Sequence, residues 1–183
     1  AIAEEMGLPI MDVANIRIAS LLHDIGKIGI SEAILRKPDR LTREEFDQIK
    51  KHPPIGAEIL GKVRNLTRFI PGMVDHHEKF NGTGYPFGRS GTGISLAGRI
   101  IAVADTFDAM TSNRPYHQDH KGKPDEVALA ELDRCVSEQF DPDVVKAFRR
   151  AYDKGRIISQ DREPEQHEPA KEGTHEHPTS NKE

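Results

Sequence analysis

From Ile10 to Tyr152 the apolar residues return at three- and four-residue intervals, and no convincing run alternates as a half-buried strand would, so helices must build the core. Ile10, Val13, Ala14, Arg17 and Leu21 keep helical spacing after Pro9, a residue suited to a first turn. Thr42 and Glu45 offer a capping box for a helix carrying Phe46 and Ile49. The run His52-Pro53-Pro54 should bend or interrupt the chain before a helical stretch with Ile55, Ile59 and Val63. Residues 66–78 read as helical up to a glycine-rich loop, FNGTGYPFGRSGTG. Ser95 to Met110 is the most apolar helix, and 124–136 and 142–152 supply two more. The expected fold class is an all-α bundle.

The two ends depart from this pattern. Residues 159–183 hold seven acidic and three basic residues, three prolines and one apolar residue, Ala170, too little to offset the entropy of ordering. The expected organisation is therefore a single domain over 1–155 followed by an acidic, disordered tail over 156–183. The tail's His167, His175 and His177 read as solvated. The chain opens on AIAEEMGLP without a signal-peptide pattern, which reads as a cut inside a helix, with further sequence expected upstream.

Composition excludes several classes. The tail accounts for the whole net charge of −4, leaving 1–158 balanced at 23 acidic and 23 basic residues, which disfavours duplex nucleic acid as a partner. No window reaches the ~18 consecutive apolar residues of a membrane span. The single cysteine, Cys135, forms no internal disulfide, so a reducing compartment, the cytoplasm, is expected.

Chemistry is carried by imidazoles and carboxylates set at the ends or within apolar segments. His23 and Asp24 close a helix, where side chains of neighbours diverge by about 100° and can reach two different metals. Taken alone, that dipeptide is better explained as a surface His beside a capping Asp, and His52 as a solvated loop His. His76-His77-Glu78 provides two imidazoles and a supporting carboxylate. Asp105, between Ala104 and Thr106 in the most apolar helix, has to be paired, metal-bound or turned to solvent. Four histidines and two aspartates from four segments suit a binuclear Fe, Mn or Zn site, and the absence of close Cys/His pairs argues against a structural zinc.

The stretches LLHDIGKIGISEAIL, KKHPPIGAEIL, DHHEKFNGTGYPFG and RIIAVADTFDAMTSNRPYH, in this order over about 1–150, resemble the HD-GYP subgroup of the HD-domain phosphohydrolases. The resemblance implies an HD-type helical bundle with a GYP loop and an N-terminal helix truncated here. It implies two or three divalent metals, Fe or Mn favoured and Zn possible, held by His23, Asp24, His52, His76, His77 and Asp105, with Asp24 bridging. Lys27 matches a lysine near the substrate phosphate with a catalytic role, and Arg114 a phosphate-contacting arginine, for which a forked guanidinium is apt. Tyr85 could stack on a purine or pack the loop down, and Asp108, on the face of Asp105, could hold a ligand or Lys27.

Departures accompany the matches. A further metal-binding His, and in some members a Glu, precedes the matched stretch in the family, so one metal position is expected to be incomplete. Asn81 stands where many members have Asp, and His117 where a second basic residue is common, which makes that contact depend on pH. The implied activity is metal-dependent hydrolysis of cyclic di-GMP to pGpG and/or GMP in bacterial signalling, behind an upstream receiver or sensory domain, with diguanylate-cyclase-type domains as further partners. The rivals are a signalling module that binds a cyclic dinucleotide or a protein without turnover, and an HD hydrolase for another nucleotide.

Overall fold

The computed structural model describes residues 1–113 and 121–159. Among these, helices carry the fold: α1 (Ile2–Glu5), α2 (Ile10–Leu22), α3 (Glu32–Leu35), α4 (Arg43–Ile49), α5 (His52–Gly61), α6 (Ile70–Asp75), α7 (Leu96–Thr111), α8 (Asp125–Arg134) and α9 (Pro142–Asp153). Short 3-10 turns occupy Ile25–Gly29, Arg64–Phe69 and Gly91–Gly93. No β-strand occurs among the described residues; one isolated bridge pairs Val136 with Phe140.

Local chemistry sets the helix ends. The Thr42 hydroxyl accepts from Glu45 N–H while the Glu45 carboxylate accepts from Thr42 N–H, the reciprocal cap read from the sequence. Pro53 and Pro54 sit in the first turn of α5, where a missing N–H costs nothing, so the prolines open this helix directly at His52. Pro9 lies one residue earlier than expected, as the N-cap of α2. The stretch expected to be one helix over 66–78 is divided into a 3-10 turn and α6, with Pro71 starting the second piece and His76 capping it.

Two apolar centres flank α7. On one side Ile100, Val103 and Phe107 pack with Leu132, Phe140, Val144 and Phe148, and with Ile2 and Ala3 of α1. On the other, Ile101 meets Ala19 and Phe69, next to a cluster of Leu60, Met73 and Val74. Asp105 lies one turn beyond Ile101, so the second face of α7 carries it towards the end of α2.

The face of α2 differs from the spacing read in the sequence. Ile10 and Leu21 are 82% and 78% exposed, whereas Ala19 is buried and Val13, Ile16 and Leu22 pack inward. A helix apolar on nearly every side gives periodicity no single direction to point to. At the other end, Arg156 pairs with Glu4 and Glu5, Ile157 packs on the core and Ser159 is buried. Residues 160–183 lie outside the described residues.

Candidate metal centre

Helix ends deliver the imidazoles. The last carbonyls of a helix have no partner within it, and here three of them accept from histidine Nδ1. His23 donates to Ser20 of α2 at 2.6 Å, His52 to Ile49 of α4 at 2.8 Å and His76 to Met73 of α6 at 2.5 Å. A carbonyl can only accept, so each Nδ1 carries the proton and each Nε2 is turned to a common centre.

The centre is crowded with acceptors. Nε2 of His52 and Nε2 of His76 are 3.4 Å apart, and Asp24 Oδ1 is 3.4 Å from the same His52 nitrogen. On the other side His23 Nε2 lies 3.4 Å from Asp24 Oδ2 and 3.7 Å from Asp105 Oδ1. His77 completes the group, its ring 3.9 Å from that of His76 and 5.1 Å from that of His52. Two triads result, His52/His76/His77 and His23/Asp24/His76, each with its ligand atoms within 4.8 Å of one another. All six residues expected as ligands are brought together, from four segments of the chain.

Electrostatics keep His52, His76 and His77 available to a cation. Burial, reinforced by neighbouring imidazoles, lowers His76 to about 4 and His77 to about 2, and burial lowers His52 as well, so all three are neutral near pH 7. Burial also acts against a charged His23, but the hydrogen bond to Asp105 and the Asp24 charge outweigh it and raise His23. Burial opposes ionisation of Asp105, yet His23 holds it down at about 2.

A divalent metal fits this donor set. Neutral His52 and His76 oppose lone pairs at 3.4 Å, a repulsive arrangement unless a cation lies between them. Beside them Asp24 Oδ1 is buried without a hydrogen-bond partner, an expense that a metal would remove.

Lys27 and Tyr85 fall on the rim. Lys27 Nζ donates to Asp24 Oδ2 at 2.6 Å. Tyr85 stacks on His77 with centroids 4.8 Å apart and planes 28° apart, and meets Phe46 edge-on at 6.2 Å. Asp108 accepts from the Ser112 hydroxyl and lines a groove beside α2. Arg114 and His117 lie outside the described residues.

Sequence reasoning passed over the clasp that fixes the glycine-rich loop. Asp75 is 0% exposed and accepts from Arg89 Nη1 at 2.6 Å and from Ser95 N–H at 2.8 Å. The buried Glu78 carboxylate accepts from the N–H groups of Phe87 at 2.7 Å and Arg89 at 3.0 Å. Gly84 crosses directly over Glu78, where a Cβ would lie 2.5 Å from the Glu78 Cα. A carboxylate ending the apolar run Met73-Val74-Asp75 was the available signal for Asp75; nothing local announced its partner fourteen residues on.

An HD domain family profile matches residues 1–144. The chain is 44% identical over 149 residues to a cyclic di-GMP phosphodiesterase of Thermotoga maritima, covering 80% of this chain and 40% of that protein. It is 41% identical over 151 residues to the cyclic di-GMP phosphodiesterase response regulator RpfG of Xanthomonas campestris, covering 81% and 39%. To the 3'3'-cGAMP-specific phosphodiesterase 3 of Vibrio cholerae it is 39% identical over 150 residues, covering 82% and 32%. The chain thus spans 40% or less of the length of these relatives. Among solved structures, an HDG"Y"P protein from Bdellovibrio bacteriovorus superposes with a TM-score of 0.65 at 20% identity, over 84% of this chain and 48% of the other. A cyclic GMP-AMP phosphodiesterase of V. cholerae gives 0.62 at 20% identity, over 85% and 42%. Both share the fold.

Proposed function

The chain belongs to the HD-domain family, in its HD-GYP branch, and from that premise we propose that it is a metal-dependent phosphodiesterase opening cyclic di-GMP to linear pGpG and on to GMP. One observation carries the reading: Nε2 of His52, Nε2 of His76 and Asp24 Oδ1 converge as acceptors with no proton donor between them.

His23, Asp24, His52, His76, His77 and Asp105 would hold two metals, with Asp24 facing one half of the centre through each oxygen. A mixed imidazole and carboxylate set favours Fe or Mn, with Zn next. When bound, such metals would supply Lewis acidity for water activation and for the charge that grows on the phosphate oxygens. The chain's own groups do the rest. Lys27, half-exposed beside Asp24, is placed to exchange its carboxylate partner for a phosphate oxygen and assist the leaving oxygen. Arg114 is assigned to a second phosphate oxygen and His117 to a pH-dependent contact, while Asp108 supports the end of α7. Among the described residues no helix is long and apolar enough to cross a membrane; the cytoplasm, where cyclic di-GMP signalling would take place, is the compartment proposed. An upstream receiver or sensory domain, and cyclase domains as partners, complete the proposal.

A second substrate is favoured by one observation: relatives at 34–39% identity are named 3'3'-cGAMP-specific. Turnover of both cyclic dinucleotides, with and without added Mn2+, tests the proposal. Metal-dependent loss of cyclic di-GMP is expected. Preferential loss of 3'3'-cGAMP would reassign the substrate, and binding of either without turnover would leave a sensor.

A further inference from the structure

His77 differs from the other three histidines of the centre. The rings of His23, His52 and His76 are each oriented by an Nδ1 hydrogen bond to a helix-end carbonyl. Among the described residues no hydrogen bond is made by the His77 ring. Its orientation is set by ring contacts: His76 on one side, and Tyr85 stacked at 4.8 Å and 28°.

We infer that Tyr85 is a positioning residue for His77, its aromatic face replacing the hydrogen bond that aims each of the other imidazoles. The inference rests on the metal-centre reading above. A ring that only stacks is useful if it is itself immobile, and the loop meets that condition. Tyr85 N–H donates to the His77 carbonyl at 3.2 Å. Two residues further, Glu78 binds the N–H groups of Phe87 and Arg89, and the Arg89 guanidinium closes on the buried Asp75, immediately before His76. Phe46 of α4 meets the Tyr85 ring edge-on. The segment carrying two imidazoles and the loop carrying Tyr85 are thus locked to each other at both ends.

This role belongs to the ring and not to the hydroxyl, and it differs from stacking on a substrate base. The test is Mn2+ titration of the chain by calorimetry, comparing wild type with Tyr85→Phe and Tyr85→Leu. Losing an outer partner of a metal-bound His typically costs 10–100-fold in affinity, so Tyr85→Leu is expected to weaken Mn2+ binding roughly tenfold while Tyr85→Phe stays within about twofold. In metal-free protein the His77 ring protons, shifted by the Tyr85 ring current, should move in Tyr85→Leu and hold in Tyr85→Phe, with unchanged helical circular dichroism. Arg89→Gln, which loosens the loop from Asp75, should give a smaller change of the same sign. A raised Michaelis constant with unaltered Mn2+ affinity in Tyr85→Leu would overturn the inference and make Tyr85 a substrate contact. A wild-type chain that takes up no Mn2+ would instead remove the metal-centre reading beneath it.

Discussion

Gly26 packs so tightly on His52 that a Cβ built on it would lie 1.8 Å from the His52 carbonyl oxygen and 2.6 Å from Gly56 N. The glycine two residues after Asp24 therefore does structural work that its motif does not reveal. It lets the turn that carries Asp24 and Lys27 rest directly on the first turn of α5, and so sets Asp24 Oδ1 against His52 Nε2.

Because the obstacle is backbone, no rotamer change accommodates a methyl group there. Gly26→Ala is expected to destabilise the chain by about 2 kcal/mol or more. A denaturation midpoint indistinguishable from wild type would show that the turn and α5 are not held this closely.

The Asp75–Arg89 pair gives a second expectation. Removing one partner from a pair with a buried member leaves a charge without compensation, so Arg89→Met should cost about 3 kcal/mol. Asp75 would retain only the Ser95 N–H among the bonds described above. Chemical denaturation of the variant measures this, and a loss below about 0.5 kcal/mol would place the pair with ordinary surface bridges.

Most of the fold was legible in the sequence, as were three of the candidate ligands taken alone; His23, Asp24 and His52 were singled out only by the constellation and the family resemblance. Asp105 stood out because a carboxylate in an apolar helix needs a partner, and His76 and His77 because two adjacent imidazoles are followed by a carboxylate. The capping box at Thr42 is local and could be read locally, whereas the prolines after His52, read as an interruption, lie in the first turn of α5. What escaped depends on contacts distant in sequence. The division at Phe69 between 3-10 turn and α6, the inward face of α2, and the closure of Arg89 on Asp75 are settled by packing that no short window contains.

Protonation supplies a third expectation, for the metal-free chain. His52, His76 and His77 have pKa values lowered by burial from 6.5, to about 4 for His76 and about 2 for His77. Below pH 6.5 the unfolded chain therefore binds more protons than the folded one, and the stability these residues contribute is lost as pH falls towards 4. His23 acts in the opposite sense, its contribution present below 6.5 and lost as pH rises through its raised value, but one group opposes three. The melting temperature should be lower at pH 5 than at pH 7.5 by about 5 °C or more. A higher value at pH 5 would mean that the imidazoles are not neutral in the folded chain.

Lys27 is held 2.6 Å from Asp24 Oδ2, a position from which it can neutralise that carboxylate or serve a phosphate. If it acts in the reaction, Lys27→Met should lower the rate constant at saturation more than it raises the Michaelis constant, while Mn2+ still binds. An unchanged rate constant with a raised Michaelis constant would reduce Lys27 to uniform binding of substrate.

The central claim is that Asp24 joins two halves of one metal centre, His52/His76/His77 on one oxygen and His23/Asp105 on the other. The direct measurement is metal content per chain, with cyclic di-GMP turnover, for wild type and Asp24→Ala at matched helical content. Two metals per wild-type chain, with loss of metal and of turnover in the variant, is the result this account requires. Asp24→Ala that retains its metals and near wild-type turnover would contradict it.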